Sequence, residues 1–375
     1  MSTHVSESHG GRSSHRSPLW AKIMIGFGAV LMVGAGGGAV YAGSLISTVN
    51  NATDSADLLG DGDSQAGEDV EGPMNLIMVG TDMRVNDSDG IDRADSIMIL
   101  HINEDLTKAN IVSFPRDLKV PIANTDCGGG TPCLDKINAA YEAGGDTPPE
   151  KFKNLAETLK MYTGIERFDG AAIVGFEGFL KAVRTMGSIE LCLPIDMQLE
   201  QERLEYNTGR VFPKGCNEYN AQEALWIVRE RYAYDALNPD FDTSWGIGDY
   251  GRQHMQQHFI KQLLVKAGEE GYITDPTKVG DLISEIGSSI TVDLNGHTVT
   301  DFAVAMRNIQ PDKLRTVRLP SETSIEYPDG INEVDYEVIP EGTEAEQVSQ
   351  DLFDALINDT MEQWMAKNPD LLNKD

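Results

Sequence analysis

The sequence carries one long uncharged stretch near its N-terminus. No Asp, Glu, Lys or Arg occurs between Ile23 and Thr53, and a helix that crosses a membrane needs about 20 apolar residues. Basic residues precede this stretch, and acidic residues follow it. The positive-inside rule then predicts a cytoplasmic tail at residues 1–22, a single transmembrane helix at residues 23–49, and an extracellular location for the rest of the chain.

A cleaved signal peptide is the alternative interpretation of this stretch. Ala39 and Ala42 are small enough to suit a signal peptidase, but the apolar run is longer than the usual h-region of a signal peptide. An anchor that stays in the cell membrane is therefore the favoured prediction.

The charge of the chain argues against one class of partner. Its 375 residues include 60 Asp and Glu against 30 Lys and Arg, which gives a formal net charge of −30. Nucleic-acid binding depends on Lys and Arg that neutralise phosphates, so we expect no nucleic acid among the partners. Any phosphate ligand needs a local cluster of cations, a metal ion, or both.

Composition divides the chain beyond the membrane into three parts. Residues 50–73 are acidic, small and poor in apolar side chains, which predicts a solvated extracellular linker. The hydrophobic content of 40% is enough for a core, and one folded domain is predicted over residues 74–340. Residues 341–375 are predicted to form a C-terminal helix and a polar tail, because apolar residues recur there at helical spacing.

Apolar runs alternate with helical patterns inside the predicted domain. NLIMVG, SIMILHI and ANIVSF are nearly continuous apolar runs between polar loops, which is typical of buried strands. Helical stretches such as EKFKNLAETLKMYTG and AQEALWIVRE alternate with further strands downstream. This alternation predicts an α/β fold, an α/β/α sandwich with a central mixed sheet.

The first three strands bring charged residues to one edge of that sheet. If residues 75–79 run upward, residues 96–102 run downward beside them, because no helix separates the two runs, and residues 111–114 return upward. Ligands of open α/β sheets bind at such edges. Five charged residues are predicted to cluster there: Asp82, Arg93, Asp95, Arg116 and Asp117.

Two segments of the second half offer matching cations. Arg229 and Arg231 would point in nearly opposite directions on a continuous helix, so the helix is predicted to end near Val228 and continue as an extended segment. Asp249 is a candidate N-cap of the next helix, whose first turn carries Arg252. A helix N-terminus that carries Arg suits an anion.

Two interpretations of these charges remain open. An Arg beside an Asp is most often half of a surface salt bridge, and Asp in loops commonly caps a turn or helix. The convergence of several Arg with two carboxylates favours a pyrophosphate instead, because Arg matches phosphate oxygens and carboxylates can hold Mg²⁺, or Mn²⁺, against them. The sequence has neither a P-loop nor a nucleophile elbow.

The four cysteines all follow the predicted membrane helix. An even number in an oxidising exterior favours disulfides, and three pairings are possible. We predict Cys127–Cys133, which closes the CGGGTPC loop, and Cys192–Cys216, which joins LCLPID to FPKGC. A zinc site is the alternative, but the sequence has no CxxC and only scattered His.

A series of motifs resembles the LytR-CpsA-Psr (LCP) family. In chain order they are GTDMR, DRADSIMILHIN, SFPRDLKVPI, DKINAAYEAGG, MGSIELCLPID, AQEALWIVRERY and GDYGRQHMQQ. The resemblance covers roughly Asn75 to Ala267. It implies an α/β/α fold whose apolar tunnel holds a polyprenyl chain, with the pyrophosphate at the tunnel mouth. It also implies a ligase that moves a glycopolymer from a polyprenyl-pyrophosphate carrier to peptidoglycan.

The resemblance also implies roles for individual residues. Asp82 and Asp95 match the acidic pair that binds Mg²⁺ or its water shell in the family. Met255 stands in place of one family Arg, and Lys119 is a candidate substitute for that missing cation. The positions that match the pyrophosphate-binding residues are Arg93, Arg116, Arg229, Arg231, Arg252 and Gln256.

In the implied reaction, the acceptor hydroxyl attacks the glycan-side phosphorus and the polyprenyl phosphate leaves. Arginine and Mg²⁺ face the phosphate oxygens on which charge accumulates, so no covalent enzyme intermediate is required. The predicted catalytic residues are Asp82, Asp95, Arg116 and Asp117, and Asp82 or Asp117 is the candidate base. Two other functions stay open: a pyrophosphatase that uses water as the acceptor, and a non-catalytic envelope regulator that binds polyprenyl lipids.

Overall fold

A computed structural model of the chain describes residues 54–60, 69–81, 94–198, 211–235, 237–270, 290–298, 301–302, 305, 309, 313–327 and 332–373. The predicted cytoplasmic tail, the predicted transmembrane helix, and the predicted site residues Asp82 and Arg93 lie outside these ranges. None of the helices within the ranges combines the length and the apolar character that a membrane crossing requires.

Strands and helices make up most of the described part of the chain. The strands are β1 (Asp54–Ser55), β2 (Met74–Thr81), β3 (Ala94–Ile102), β4 (Ala109–Phe114), β5 (Lys119–Ile122), β6 (Cys133–Lys136), β7 (Gly170–Gly175), β8 (Ile189–Leu193), β9 (Met197–Gln198), β10 (Val211–Phe212), β11 (Gly215–Tyr219), β12 (Ile290–Asp293), β13 (Leu314–Arg318), β14 (Glu322–Glu326) and β15 (Val334–Val338). The α-helices are α1 (Ala139–Glu142), α2 (Pro148–Thr163), α3 (Phe176–Met186), α4 (Ala221–Arg229), α5 (Asp249–Glu269), α6 (Glu344–Ile357) and α7 (Met361–Lys367).

Within the described ranges, seven strands form a central mixed sheet, in the order β1-β12-β7-β2-β3-β4-β13. Strand β3 pairs antiparallel with β2 and with β4, so the predicted up-down-up course of the first strands is confirmed. Parallel pairs β2 with β7, β1 with β12, and β4 with β13 make the sheet mixed. The start of β3 and the end of β4 therefore lie at the same edge.

Both faces of the sheet are buried, which explains the nearly continuous apolar runs of its strands. Ile77 and Val79 of β2 point into one core cluster, which includes side chains from α2, α6 and α7. Leu76 and Met78 point into a second cluster on the opposite face, against which Ile260 of α5 packs. The predicted α/β fold with a central mixed sheet is confirmed.

Helix α4 begins where the sequence supplies a strong cap. The side chain of Asn220 accepts hydrogen bonds from the backbone amides of Gln222 and Glu223, and the Glu223 carboxylate accepts one from the Asn220 amide. This reciprocal arrangement satisfies amides that have no partner inside the helix. Local contacts thus determine where α4 starts, and Arg229 lies at its C-terminal end.

The predicted linker differs from the structure over residues 54–60. Strand β1 joins the sheet edge beside β12, and Leu58 and Leu59 are buried in the core. Their backbone amides both donate to the Asp293 carboxylate, at 2.8 and 3.0 Å. The segment is polar on average, but its two adjacent leucines are buried in the core. Residues 54–60 therefore belong to the folded domain.

The C-terminal segment is also part of the domain. The predicted helix is present as α6, and Leu352, Phe353 and Leu356 lie in the same core cluster as Leu58 and Leu59. Leu372 forms a bridge to Val317, so the chain after α7 reaches strand β13 at the sheet edge.

The cysteine sulfurs lie at bonding distance in the two predicted pairings, Cys127 with Cys133 and Cys192 with Cys216. The second pair occupies directly opposite residues of the antiparallel strands β8 and β11. A covalent link at this position would hold together a two-stranded sheet that packs under α5.

Candidate active site at the edge of the central sheet

An ion pair joins the start of β3 to the turn after β4. The Nη1 atom of Arg116 lies 2.6 Å from Oδ1 of Asp95, and both side chains are largely buried. Burial alone would lower the pKa of Arg116, but the charges of Asp95 and Asp117 outweigh it and raise that pKa. The guanidinium therefore stays charged, and the predicted meeting of Asp95 and Arg116 at one edge is observed.

Asp117 is held by cations on both carboxylate oxygens. Its Oδ2 lies 3.3 Å from Nε of Arg116, and its Oδ1 lies 2.8 Å from Nζ of Lys136. Burial would raise the pKa of Asp117, but the hydrogen bond from Lys136 and the charge of Arg116 lower it below its ordinary value. A carboxylate held in this way accepts a proton poorly. The contacts thus favour Asp117 as a support for Arg116 over Asp117 as the base.

Arg252 approaches the same place from the first turn of α5. It is 5% exposed, and its Nη2 atom lies 2.7 Å from Oδ1 of Asp249 and 3.0 Å from the backbone oxygen of Asp95. Burial lowers the pKa of Arg252, the charge of Asp249 offsets this in part, and the positive charges of Arg116 and Arg231 lower it further. Arg252 therefore lies within electrostatic reach of two other guanidinium groups, an arrangement that an anion stabilises. Asp249 itself lies in the first turn of α5 and not at the N-cap that the sequence predicted.

The chain leaves helix α4 where the sequence predicted. Helix α4 ends at Arg229, and Glu230 has extended backbone angles, φ −69° and ψ 140°. Glu230 is buried, and its carboxylate accepts hydrogen bonds from the backbone amides of Arg231 and Tyr232 at 2.8 and 2.6 Å. Arg229 is exposed and Arg231 half-buried, so they alternate with Glu230 as an extended segment requires.

A close backbone approach then connects this segment to α5. The backbone amide of Gly248 donates to the backbone oxygen of Tyr234 at 2.8 Å. A Cβ atom at Gly251 would lie 2.3 Å from the Tyr234 ring. Only glycine fits at that position of the helix. Sequence reasoning missed this contact, although a glycine in the first turn of a helix is an intrinsically unfavourable choice that signals a packing requirement.

Gln256 connects the charged cluster to an apolar cavity. Its Oε1 atom accepts a hydrogen bond from the Ser96 hydroxyl at 2.8 Å, and its Nε2 atom lies 3.4 Å from the backbone oxygen of Val228. The cavity has a volume of ≈ 240 Å³ and lies between the sheet and helices α3, α4 and α5. Among the described residues, four polar ones contribute to its lining: Asp95, Ser96, Arg229 and Gln256. The other described lining residues are apolar or glycine, and the larger side chains among them include Leu76, Met78, Met98, Leu100, Phe179, Leu225, Phe259, Ile260, Leu263 and Phe302.

Two positions of the predicted site have other partners in the structure. The ammonium group of Lys119 pairs with Glu326 and lies 4.8 Å from the Tyr336 ring centroid. The role of Lys119 as a substitute for the missing cation stays a prediction. Met255 is fully buried in the apolar core between α5, α3, α4 and β8, which explains why an apolar side chain is stable at that position.

The described part of the chain supplies one half of the predicted metal site. Asp95 lies at the cluster, whereas Asp82 is outside the described residues. Among the described residues no group of three or more His, Cys, Asp or Glu could hold a metal ion by itself. Mg²⁺ is commonly bound by one or two carboxylates together with substrate phosphates and water, and Asp95 is the described carboxylate of the predicted pair.

Two curated relatives match most of the described domain. The chain is 29% identical over 247 residues to the probable cell wall biosynthesis protein LcpB of Corynebacterium glutamicum, which covers 62% of this chain and 52% of LcpB. It is 26% identical over 272 residues to the polyisoprenyl-teichoic acid–peptidoglycan teichoic acid transferase TagV of Bacillus subtilis, which covers 70% of this chain and 62% of TagV. The chain thus spans between about half and two thirds of the length of these relatives.

The similarity to a solved structure concerns the fold. The crystal structure of Bacillus subtilis TagV matches with a TM-score of 0.55 and 20% sequence identity, over 77% of this chain and 98% of that chain. A family model, described as the LytR_cpsA_psr family, matches residues 43–353. This match covers the sheet, the cluster of arginines and carboxylates and the cavity, and the chain belongs to the LytR_cpsA_psr family.

Proposed function

We propose that the chain is a phosphotransferase that moves a glycopolymer from a polyprenyl-pyrophosphate carrier to peptidoglycan, forming a phosphodiester bond. One observation carries this proposal: Asp95, which both Arg116 and Arg252 contact, also lines the apolar cavity. A ligand that fills both the cluster and the cavity has a charged group joined directly to a long apolar chain. The name of TagV describes a transferase that acts on such a polyisoprenyl-linked polymer.

The apolar part of the ligand supplies binding energy. Each CH₂ group transferred from water to an apolar environment contributes about 0.8 kcal/mol. A few isoprene units against the wall formed by β2, β3, α3 and α5 are therefore enough to anchor the carrier. The cavity leads this chain to Arg229 and Gln256, so the pyrophosphate would lie at the cluster.

The charged part of the ligand would be held by arginines. Arg116 and Arg252 both contact Asp95, and Arg231 is near enough to affect the pKa of Arg252. Arginine binds phosphate oxygens in pairs, so these groups neutralise the charge that accumulates on the oxygens during transfer. Because they are already assembled, little reorganisation is needed when the reaction occurs.

The proposed reaction exchanges one phosphorus–oxygen bond for another. The acceptor hydroxyl oxygen of peptidoglycan bonds to the glycan-side phosphorus, the bridging oxygen bond breaks, and polyprenyl phosphate leaves with the bonding electrons. The hydroxyl proton passes to a base, and Asp82 is the remaining candidate in a state in which it does not bind the metal ion. Mg²⁺, or Mn²⁺, would otherwise be held by Asp95 and Asp82 together with phosphate oxygens, and it would neutralise phosphate charge when bound.

The proposed location follows from the predicted anchor. A transmembrane helix at residues 23–49 places the domain on the outer face of the cell membrane, where a polyprenyl carrier and peptidoglycan are both within reach. We propose this single-pass topology with the N-terminus in the cytoplasm.

The test uses the full chain in detergent with a panel of lipid-linked glycans, Mg²⁺ and peptidoglycan fragments. We expect a phosphodiester-linked product detectable by mass spectrometry, and its loss in Arg116→Ala and Asp95→Ala. Glycan phosphate released without a peptidoglycan acceptor would identify a pyrophosphatase. Binding of the lipid without any turnover would identify a regulator, and full activity in both variants would remove these residues from the catalytic site.

A further inference from the structure

A buried carboxylate outside the charged cluster collects three hydroxyl groups. Glu337 of β15 is 9% exposed. Its Oε1 atom accepts a hydrogen bond from Thr323 at 2.8 Å, and its Oε2 atom accepts bonds from Ser321 and Tyr250, both at 3.1 Å. The Tyr250 and Ser321 hydroxyls also contact each other. Thr323, Ser321 and Glu337 belong to the β14–β15 hairpin and its approach, whereas Tyr250 belongs to the first turn of α5.

The same residue is bound to the turn that carries Arg116. The backbone amide of Glu337 donates to the backbone oxygen of Asp117 at 2.9 Å, and Leu118 forms a parallel β-bridge with Glu337. Glu337 therefore holds the turn after β4 through its main chain and the start of α5 through its side chain. The same two elements meet a second time at Asp95, which both Arg116 and Arg252 contact.

These contacts close a ring. Arg116 reaches the Asp95 carboxylate, and Arg252 reaches the Asp95 backbone oxygen. The backbone oxygen of Asp117, the residue after Arg116, accepts a hydrogen bond from the Glu337 amide. The Glu337 carboxylate accepts one from Tyr250, which lies two residues before Arg252. The two arginines thus meet at Asp95, and the Glu337–Tyr250 hydrogen bond joins their two chain segments a second time.

The Tyr250 hydroxyl remains a hydrogen-bond donor to Glu337 over a wide pH range. Burial raises the pKa of Tyr250, and the nearby charge of Glu337 raises it further, so the phenol keeps its proton and donates. Arg116 and Arg252 both contact Asp95, so their like charges lie close together and repel each other. A free helix start would respond to that repulsion by moving Arg252 outward, and a displacement of about 1 Å is enough to slow transfer substantially.

We propose that Glu337 and Tyr250 are positioning residues that hold Arg116 and Arg252 at a common phosphate-binding position before any ligand is bound. The inference deepens the proposed function and rests on it for the activity readout alone. Among the described residues, neither Glu337 nor Tyr250 lines the cavity or is hydrogen-bonded to Asp95, so the proposed effect of the pair on a ligand passes through the two arginines.

The experiment measures the affinity for inorganic pyrophosphate by calorimetry, and the transfer kinetics, in the full chain. Tyr250→Phe keeps the ring and removes the hydroxyl, and Glu337→Ala removes the acceptor. We expect each to weaken pyrophosphate binding about tenfold and to lower kcat more than it raises KM, because pre-organised arginines act mainly in the transition state. The double variant should bind pyrophosphate no more weakly than Glu337→Ala, since both changes break the same Tyr250–Glu337 hydrogen bond. Glu337→Gln, which retains an oxygen acceptor, should recover part of the affinity.

A matched control lies at the other end of β3. Asp359 accepts from the Glu104 amide at 2.9 Å and lies 3.0 Å from the buried ring of His101. Asp359→Asn should lower thermal stability and leave pyrophosphate affinity unchanged. If Tyr250→Phe folds and binds pyrophosphate as the wild type does, or if Asp359→Asn weakens binding equally, the inference is overturned. A wild-type chain that binds pyrophosphate but transfers no glycopolymer would refute the proposed function and leave this comparison decisive.

Discussion

The ion pair between Asp249 and Arg252 supplies a quantitative test of the site. Both side chains are largely buried, with 14% and 7% of their area exposed. Removing one partner of a buried pair typically costs about 3 to 5 kcal/mol, because the other charge is left uncompensated. Asp249→Ala also removes a hydrogen bond from Gln253 at 2.9 Å, worth about 1 kcal/mol. Arg252 keeps its bond to the Asp95 oxygen, so we expect a loss of about 3 kcal/mol.

Thermal unfolding of the full chain measures this loss. For a domain of this size, 1 kcal/mol shifts Tm by about 2 to 4 °C, so the variant should melt roughly 6 to 12 °C lower. Glu157→Ala is the control, because the Lys160–Glu157 pair has a comparable distance of 3.0 Å but Glu157 is 40% exposed. Such a surface pair contributes less than about 1 kcal/mol.

Pyrophosphate adds a second readout to the same experiment. Asp249 supplies the negative charge nearest to Arg252, so an anion at the cluster should restore part of what Asp249→Ala removes. Inorganic pyrophosphate should therefore raise the Tm of the variant by more than it raises that of the wild type. Equal increases in both proteins, or a variant as stable as Glu157→Ala, would refute the electrostatic account of the site.

Three further predictions concern the surrounding structure. Cys216→Ser should lower the free energy of unfolding by about 3 kcal/mol, since the Cys192 pairing closes a loop of 24 residues; a linked peptide in a non-reducing digest checks the bond itself, and its absence would contradict the pairing. Ala172→Phe, which fills the cavity wall, should weaken binding of the lipid-linked substrate about tenfold and leave inorganic pyrophosphate binding unchanged; equal loss of both would mean that the cavity does not hold the lipid. Burial lowers the pKa of His101 below its ordinary 6.5, so below pH 6.5 the unfolded chain takes up a proton that the folded chain excludes, and stability in urea should fall as pH decreases. His101→Asn should remove that slope, and an unchanged slope would contradict the assignment.

Much of the site could be predicted because its parts lie next to strong local signals. The apolar runs determined the course of β2, β3 and β4, and that course alone brought Asp95 to Arg116. The ending of α4 followed from the requirement that Arg229 and Arg231 act on one side. In each case a local pattern, combined with one rule of chain geometry, was sufficient.

The remaining contacts depend on residues far apart in sequence and without a local signal. Glu337 meets Tyr250 across 87 positions, and nothing in the surrounding sequence marks either residue. Lys119 lies three residues after Arg116, but its ammonium group forms an ion pair with Glu326 on a strand distant in sequence. Gly251 is explained only by the Tyr234 ring above it. Long-range packing, which periodicity does not encode, decided these positions.

The shared core of the first and last described segments has a consequence for folding. The Leu58 amide is hydrogen-bonded to Asp293 across 235 positions, and the Leu58 side chain lies in one cluster with Leu352 and Trp364. Contacts between such distant positions form late, because the loop between them must close first. During synthesis, the Leu58 and Leu59 amides lack their Asp293 acceptor until β12 has been made. A ribosome-bound nascent chain that ends before β12 should therefore be sensitive to protease near residue 58.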